Sequence, residues 1–148
     1  MKVATLEARY PNITFIEGET FMYSPKDTSV MYDPKRISKE SGIWSLLHEI
    51  GHALANHETF KTDLELIKLE REAWRHARSI GETLDIEIDE DHIQDCLDSY
   101  RDWLHARSRC PECGQINPQT EAKRYSCFNC QTTWKVSGSQ LCSIRSRV

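Results

Sequence analysis

At 148 residues, 39% hydrophobic and 28% charged, the chain has the composition of a soluble globular protein, with room for one ordinary domain or one small domain plus a module. No apolar run approaches the roughly 20 residues of a bilayer span, and Met1–Glu7 has no apolar signal core, so a cytoplasmic location is expected. The net charge of −4 hides a step: residues 1–106 carry 12 basic and 21 acidic side chains, residues 107–148 carry 7 and 2. Such a step predicts two modules with different partners, an acidic body that repels nucleic acid and a basic tail that can approach it.

The first 42 residues alternate strand and turn signals. Asn12–Ile16, Phe21–Tyr23 and Thr28–Tyr32 are rich in β-branched and aromatic side chains. They are separated by Glu17-Gly18-Glu19 and Ser24-Pro25-Lys26-Asp27, and Asp33-Pro34 closes the third run. Tight links of this kind predict a small antiparallel sheet of consecutive strands. Neither a glycine-rich phosphate loop nor a Gly-x-Ser-x-Gly elbow is present.

Residues 38–57 predict the first helix, with Ser38 or Ser41 as cap. Ile43, Trp44, Leu46, Leu47, Ile50, Gly51, Leu54 and Ala55 make a wide apolar arc, and Ser45, His48, Glu49, His52 and Asn56 fill most of the rest. A helix of that pattern is mostly buried, and its polar strip carries His48-Glu49-Ile50-Gly51-His52. Histidines four apart stack on one helical face and can reach one zinc ion. The intervening Glu49 projects about 100° round the helix, where its carboxylate can act as general base without being a ligand. Gly51 costs about 1 kcal/mol against alanine inside a helix, which predicts close packing by a neighbouring element.

The second helix is expected over Leu64–Leu84, capped by Asp63. Leu66, Ile67, Leu69, Ala73, Trp74, Ala77, Ile80 and Leu84 form its apolar face, and Glu70 falls in the middle of it. A carboxylate on a core-facing stripe needs a compensating partner. Zinc is one, which makes Glu70 the candidate third ligand, 18 residues after His52. Glu72 is the second candidate, and an ion pair of Glu70 with Arg71 or Arg75 is the bland alternative. A third helix is expected over residues 89–106, with Ile93, Cys96, Leu97, Tyr100 and Leu104 inward. Cys96 reads as a core residue, and His76, His92 and His105 as surface or satisfied side chains rather than catalytic ones.

After Arg107-Ser108-Arg109 come Cys110-Pro111-Glu112-Cys113 and Cys127-Phe128-Asn129-Cys130, with 13 residues between the pairs. Two Cys-x-x-Cys knuckles so spaced predict a structural, four-coordinate zinc site rather than two disulfides. So short a segment buries little core, and the metal supplies folding energy. Tyr125 and Trp134–Val136 read as strands of a ribbon. Cys142 has no assigned role, and residues 144–148 read as a short, basic, mobile tail.

His48–Leu54 resembles the active helix of the ImmA/IrrE family of zincin metallopeptidases, and Glu70–Ala77 resembles that family's next helix, in which a glutamate three residues before an alanine is the third ligand. The similarity covers roughly residues 20–85; Trp74 and His76 depart from it, standing where the family has a small polar residue and a phenylalanine. The resemblance implies an α+β architecture. Residues 1–106 would be a small zincin-like metallopeptidase domain of a short antiparallel sheet and three helices; residues 107–148, which are not part of the usual family pattern, are read from their cysteines as an appended four-cysteine zinc ribbon. It implies one catalytic zinc on His48, His52 and Glu70, beside the structural zinc on Cys110, Cys113, Cys127 and Cys130. Glu49 would take a proton from zinc-bound water and pass it to the leaving amine, and the strand near Val30–Tyr32 would pair with an extended substrate. The expected activity is hydrolysis of a peptide bond in a cytoplasmic regulatory protein, such as a transcriptional regulator, with the basic ribbon contacting protein or nucleic acid.

Two other readings compete. A minimal protease followed by a ribbon is also similar to the SprT-like proteases of DNA-bound proteins, which use a third histidine; here His57 is expected only to continue the first helix. The other is a non-catalytic regulator that binds DNA or protein, for which Glu49 would have no use.

Overall fold

The computed structural model describes residues 3–137 and 145–147; Cys142, Ile144 and Val148 lie outside the described residues. The fold is mixed α/β, with four helices and two three-stranded sheets among the described residues. The chain divides into two compact units, residues 1–58 with 69–90, and residues 59–68 with 91–148. The charge step at residue 106 does not coincide with this division, because most of the helix before it belongs to the second unit.

In the first unit, helix α1 (Val3–Arg9) buries Leu6 and leads into β1 (Thr14–Glu17), β2 (Met22–Ser24) and β3 (Ser29–Tyr32). The expected all-antiparallel sheet is not what forms. β3 is central: β2 pairs with it antiparallel, Tyr23 opposite Val30, and β1 pairs with it parallel, Phe15 opposite Val30. The link after Glu17 carries the chain past β3 instead of folding β2 back on β1, and Gly18 N–H still bonds to Tyr32 O at 2.9 Å. The β2–β3 turn closes through Thr28 in the left-handed region (φ 51°) and a 2.7 Å bond from Ser29 Oγ to Asp27 Oδ1. Val30 is fully buried in the central strand. The segment Val30–Tyr32 is therefore no edge; β1 and β2 are the open edges of this sheet.

Helix α2 (Glu40–Leu54) packs against β2 and β3, burying Leu46, Leu47, His48, Ile50 and Gly51. Neither Ser38 nor Ser41 caps it: the N-cap is Lys39, with extended backbone and no side-chain bond. Helix α3 (Asp63–Thr83) crosses the boundary between the units, and its portion from Leu69 belongs to the first. There Glu70, Ala73, Trp74, Ala77 and Ile80 are buried. A Cβ on Gly51 would run into the Ala73 carbonyl oxygen, which is the close approach that the helix-interior glycine predicts.

Helix α2 stops three residues earlier than its sequence pattern suggests. Asn56 takes a left-handed conformation (φ 53°), its N–H bonds to Ala53 O at 3.1 Å, and His57 N–H bonds to His52 O at 3.2 Å. This pair of bonds is a Schellman stop, which asparagine tolerates better than most residues. His57 therefore does not prolong the helix; it folds back beneath the last turn.

The second unit combines the start of α3 with α4 (Glu90–Ser108), the four-cysteine segment, and an antiparallel sheet of β4 (Arg124–Ser126), β5 (Thr133–Val136) and β6 (Arg145–Arg147). The backbone of 145–147 pairs with β5, so this part of the tail is strand, not the mobile end its composition suggests. Cys110, Tyr125, Cys127, Trp134 and Val136 form the core beside the cysteines. Asp63 does not cap α3: Thr62 Oγ1 takes the Glu65 N–H at 3.3 Å. The Asp63 carboxylate is instead buried, accepting from Arg107 Nε at 2.9 Å, Arg107 Nη2 at 3.2 Å and Tyr125 OH at 2.7 Å. The Arg107 guanidinium lies 4.2 Å from the Trp103 ring centroid, and its backbone oxygen accepts from Trp134 Nε1 at 2.9 Å. Burial and the neighbouring Asp63 push the Tyr125 phenol above its ordinary range. Cys96 is only half-buried on α4, whereas Trp103, absent from the expected stripe, is buried.

Candidate metal centres

The first centre is built by α2 and α3 within the first unit. His48 and His52 lie one turn apart on α2, and the apolar face of α3 delivers Glu70. His48 Nε2 is 3.1 Å from His52 Nε2 and 2.8 Å from Glu70 Oε2, and His52 Nε2 is 3.2 Å from Glu70 Oε1. A tetrahedral ion with bonds of about 2.0–2.2 Å separates its ligands by about 3.3 Å, so the three ligand atoms are spaced close to what such an ion requires. His48 and Glu70 are buried and His52 is nearly so. Among the described residues three candidate ligands gather here and no fourth joins them.

The electrostatics favour a cation. Burial acts to raise the Glu70 pKa, but hydrogen bonds and charge from His48 and His52 outweigh it and bring the carboxyl down to about 2. Burial works against charge on His52, yet its bond to Glu70 and the charges of Glu70 and Glu49 raise its pKa. The His48 ring lies 4.3 Å from the Trp74 ring centroid, and His48 Nδ1 has no hydrogen-bond partner among the described residues. Among the described residues Glu70 pairs with His48 and His52 rather than with Arg71 or Arg75, and Arg75 faces Glu72 at 3.7 Å.

Glu49 stands beside this group without joining it. Its Oε2 accepts the backbone N–H of Tyr23, on open edge β2, at 2.8 Å. Burial raises the Glu49 pKa, with the charges of His48 and His52 opposing. The Tyr23 ring lies parallel to His52 at 6.3 Å. Nothing in the sequence around Tyr23 announces this contact.

Glu72, the second candidate ligand, turns away from the group. Its Oε2 accepts from His57 Nε2 at 3.0 Å, and the Nδ1 atoms of His57 and His52 are 2.8 Å apart. The hydrogen bond from His57 is the main reason the Glu72 pKa is lowered. The sequence has His57 merely prolonging the first helix and gives no sign of its bridge to a ligand; the signal that could have shown it is Asn56, a residue suited to ending a helix.

The second centre gathers Cys110, Cys113, Cys127 and Cys130 in the second unit. Cys110 and Cys130 sulfurs are 3.5 Å apart, as are those of Cys113 and Cys127, far from the roughly 2 Å of a disulfide. A tetrahedral zinc with bonds of about 2.3 Å spaces sulfurs by about 3.8 Å. Although burial opposes it, backbone bonds from Cys130 and Asn129 bring the Cys127 thiol down to about 6, toward the thiolate that metals bind. The Gly114 backbone (φ 77°) and its N–H bond to Cys110 O at 3.0 Å close the first knuckle. Both centres are compatible with zinc. No helix among the described residues is long and apolar enough to cross a membrane. No protein family, curated protein or solved structure matches the chain.

Proposed function

We propose that the chain is a zinc-dependent endopeptidase of the ImmA/IrrE zincin kind with an appended zinc ribbon, cutting a cytoplasmic regulatory protein. The observation that carries this reading is the convergence of His48, His52 and Glu70 with Glu49 poised beside them and outside the ligand set. A purely structural site would need a fourth ligand and no adjacent base. Zinc, when bound, supplies the Lewis acidity that polarises a carbonyl and acidifies water. Glu49 takes a proton from the attacking water as its oxygen adds to the scissile carbon, then delivers that proton to the amine as the C–N bond breaks. A carboxylate whose pKa is raised by burial is the better base for this. The Tyr23 N–H holds one Glu49 oxygen and leaves the other for water.

An extended substrate would lie along β2, the sheet edge beside Glu49, rather than on the buried central strand β3, with the Tyr23 N–H kept by Glu49. The four-cysteine ribbon would recruit protein or nucleic acid through its basic surface. A SprT-like reading is less well supported, because the third member of the ligand group is Glu70 and the extra histidine, His57, lies behind His52.

Purified protein should contain two zinc ions per chain, and Glu70→Ala only one. The two-zinc form should cleave a reduced, carboxymethylated protein into peptides visible by mass spectrometry; chelation should stop it and zinc restore it. A wild-type chain with one zinc, or a fully loaded chain whose hydrolysis survives Glu70→Ala, would overturn the proposal.

A further inference from the structure

Behind the first centre, on the side away from Glu70, runs a line of polar atoms that the reaction does not consume. Glu72 Oε2 meets His57 Nε2 at 3.0 Å, and His57 Nδ1 meets His52 Nδ1 at 2.8 Å. His57 is buried and Glu72 is partly exposed. Proton placement along this line follows from donor and acceptor chemistry. An ionised carboxylate only accepts, so His57 Nε2 carries a hydrogen. A neutral imidazole protonated there offers Nδ1 as an acceptor. The hydrogen between the two rings must then sit on His52 Nδ1, which frees the lone pair of His52 Nε2, the atom facing His48 and Glu70. The opposite tautomer would place a hydrogen on His52 Nε2 and block its coordination.

The backbone explains how His57 reaches this position. In the Schellman stop, the residue two beyond the cap packs against the residue three from the helix end, usually through apolar side chains. Here those two residues are His57 and His52, and the contact between them is a hydrogen bond, with ring centroids 5.1 Å apart. The turn that ends the helix thus also orients a candidate ligand. The other oxygen of Glu72 faces Arg75 at 3.7 Å and His76 at 3.9 Å, so cationic and polar groups hold the far end of the line. His48 has no such support: its Nδ1 is buried without a partner among the described residues.

We infer that Glu72 and His57 form a two-bond relay that locks His52 in the tautomer presenting Nε2 to the metal, which makes both of them positioning residues. The inference rests on the reading of His48, His52 and Glu70 as a metal site, and deepens it. Outer partners of a metal-bound histidine are commonly worth about 10–100-fold in metal affinity.

The test uses the full chain and four proteins: wild type, His57→Leu, His57→Gln and Glu72→Ala. Zinc affinity of the second ion bound is read by competition with a chromophoric chelator, and exchange of the His52 Nδ1 proton by nitrogen-edited NMR, with and without zinc. His57→Leu should lose about 10–100-fold in affinity, with the Nδ1 proton exchanging freely. Glu72→Ala, at a partly exposed position where folding is not at stake, should weaken binding in the same direction. His57→Gln, whose amide oxygen can accept the same proton, should recover most of the affinity; a purely space-filling role would not distinguish it from His57→Leu. Unchanged affinity in both His57→Leu and Glu72→Ala, or a glutamine variant as weak as the leucine one, would overturn the relay. A wild-type chain that takes up zinc only at its cysteines would instead overturn the metal-site reading. The relay is then judged by the metal-free NMR: a protected His52 Nδ1 proton that His57→Leu exposes supports it, and an unprotected one sinks it.

Discussion

Glu49→Gln should leave two zinc ions bound per chain and reduce peptide hydrolysis by about 10²–10⁴-fold, the usual worth of a positioned general base. The substitution is nearly isosteric. Its amide oxygen can still accept the Tyr23 N–H that now meets Glu49 Oε2 at 2.8 Å, so the contact between β2 and α2 survives. What disappears is the capacity to take a proton from water and return it to the amine. The ligand group of His48, His52 and Glu70 does not include Glu49, which is why metal content should not move. The loss should fall on kcat with KM little changed, since the proton transfer occurs only on the way to the transition state. Activity within about threefold of wild type, measured on zinc-replete protein, would remove the base from the mechanism and revive a non-catalytic reading of the site.

How much of this site could be read beforehand depended on how local its causes were. His48 and His52 come together because about 3.6 residues make a turn, and each Cys-x-x-Cys pair because a knuckle spans four residues; short-range geometry suffices. Glu70 was legible for a different reason, as a carboxylate on an otherwise apolar stripe. The contacts that went unread are set by tertiary packing. Glu72 and Glu70 are separated by two residues and about 200° around the helix, yet what Glu72 binds depends on where α2 stops. That stop is controlled by one left-handed residue, Asn56, just after an apolar pattern that runs to Ala55. The order β1-β3-β2 was equally hidden, because short strands joined by turn residues satisfy a hairpin pattern whether or not consecutive strands pair. Asp63 carries a good helix-start signal, but a buried guanidinium outcompetes the cap for its carboxylate.

That carboxylate is where the largest effect on stability is expected. Arg107 and Asp63 are almost wholly enclosed, with side-chain exposures of 2% and 4%, and Arg107 Nη1 has no hydrogen-bond partner among the described residues. Beyond the Trp103 ring face, Asp63 is the group that compensates the cation. Removing one member of a buried pair costs about 3–5 kcal/mol, because the other charge stays behind uncompensated. Asp63→Ala should therefore destabilise the second unit by about that much, and hydrogen exchange of the Cys127 and Val136 amides, bonded to Thr132 O and Lys123 O, should accelerate by roughly two to three and a half orders of magnitude (about 1.4 kcal/mol per tenfold). Adding Arg107→Met removes the stranded cation while keeping most of the volume over Trp103. The Tyr125 hydroxyl then retains the Gln119 Oε1 acceptor at 3.4 Å. The double variant should consequently be more stable than Asp63→Ala alone, an inversion that simple loss of contacts cannot produce. A cost below about 1 kcal/mol for Asp63→Ala, or additive losses in the double variant, would mean that the pair is not what holds this unit together and that the four-cysteine centre and the Tyr125–Trp134 stack suffice.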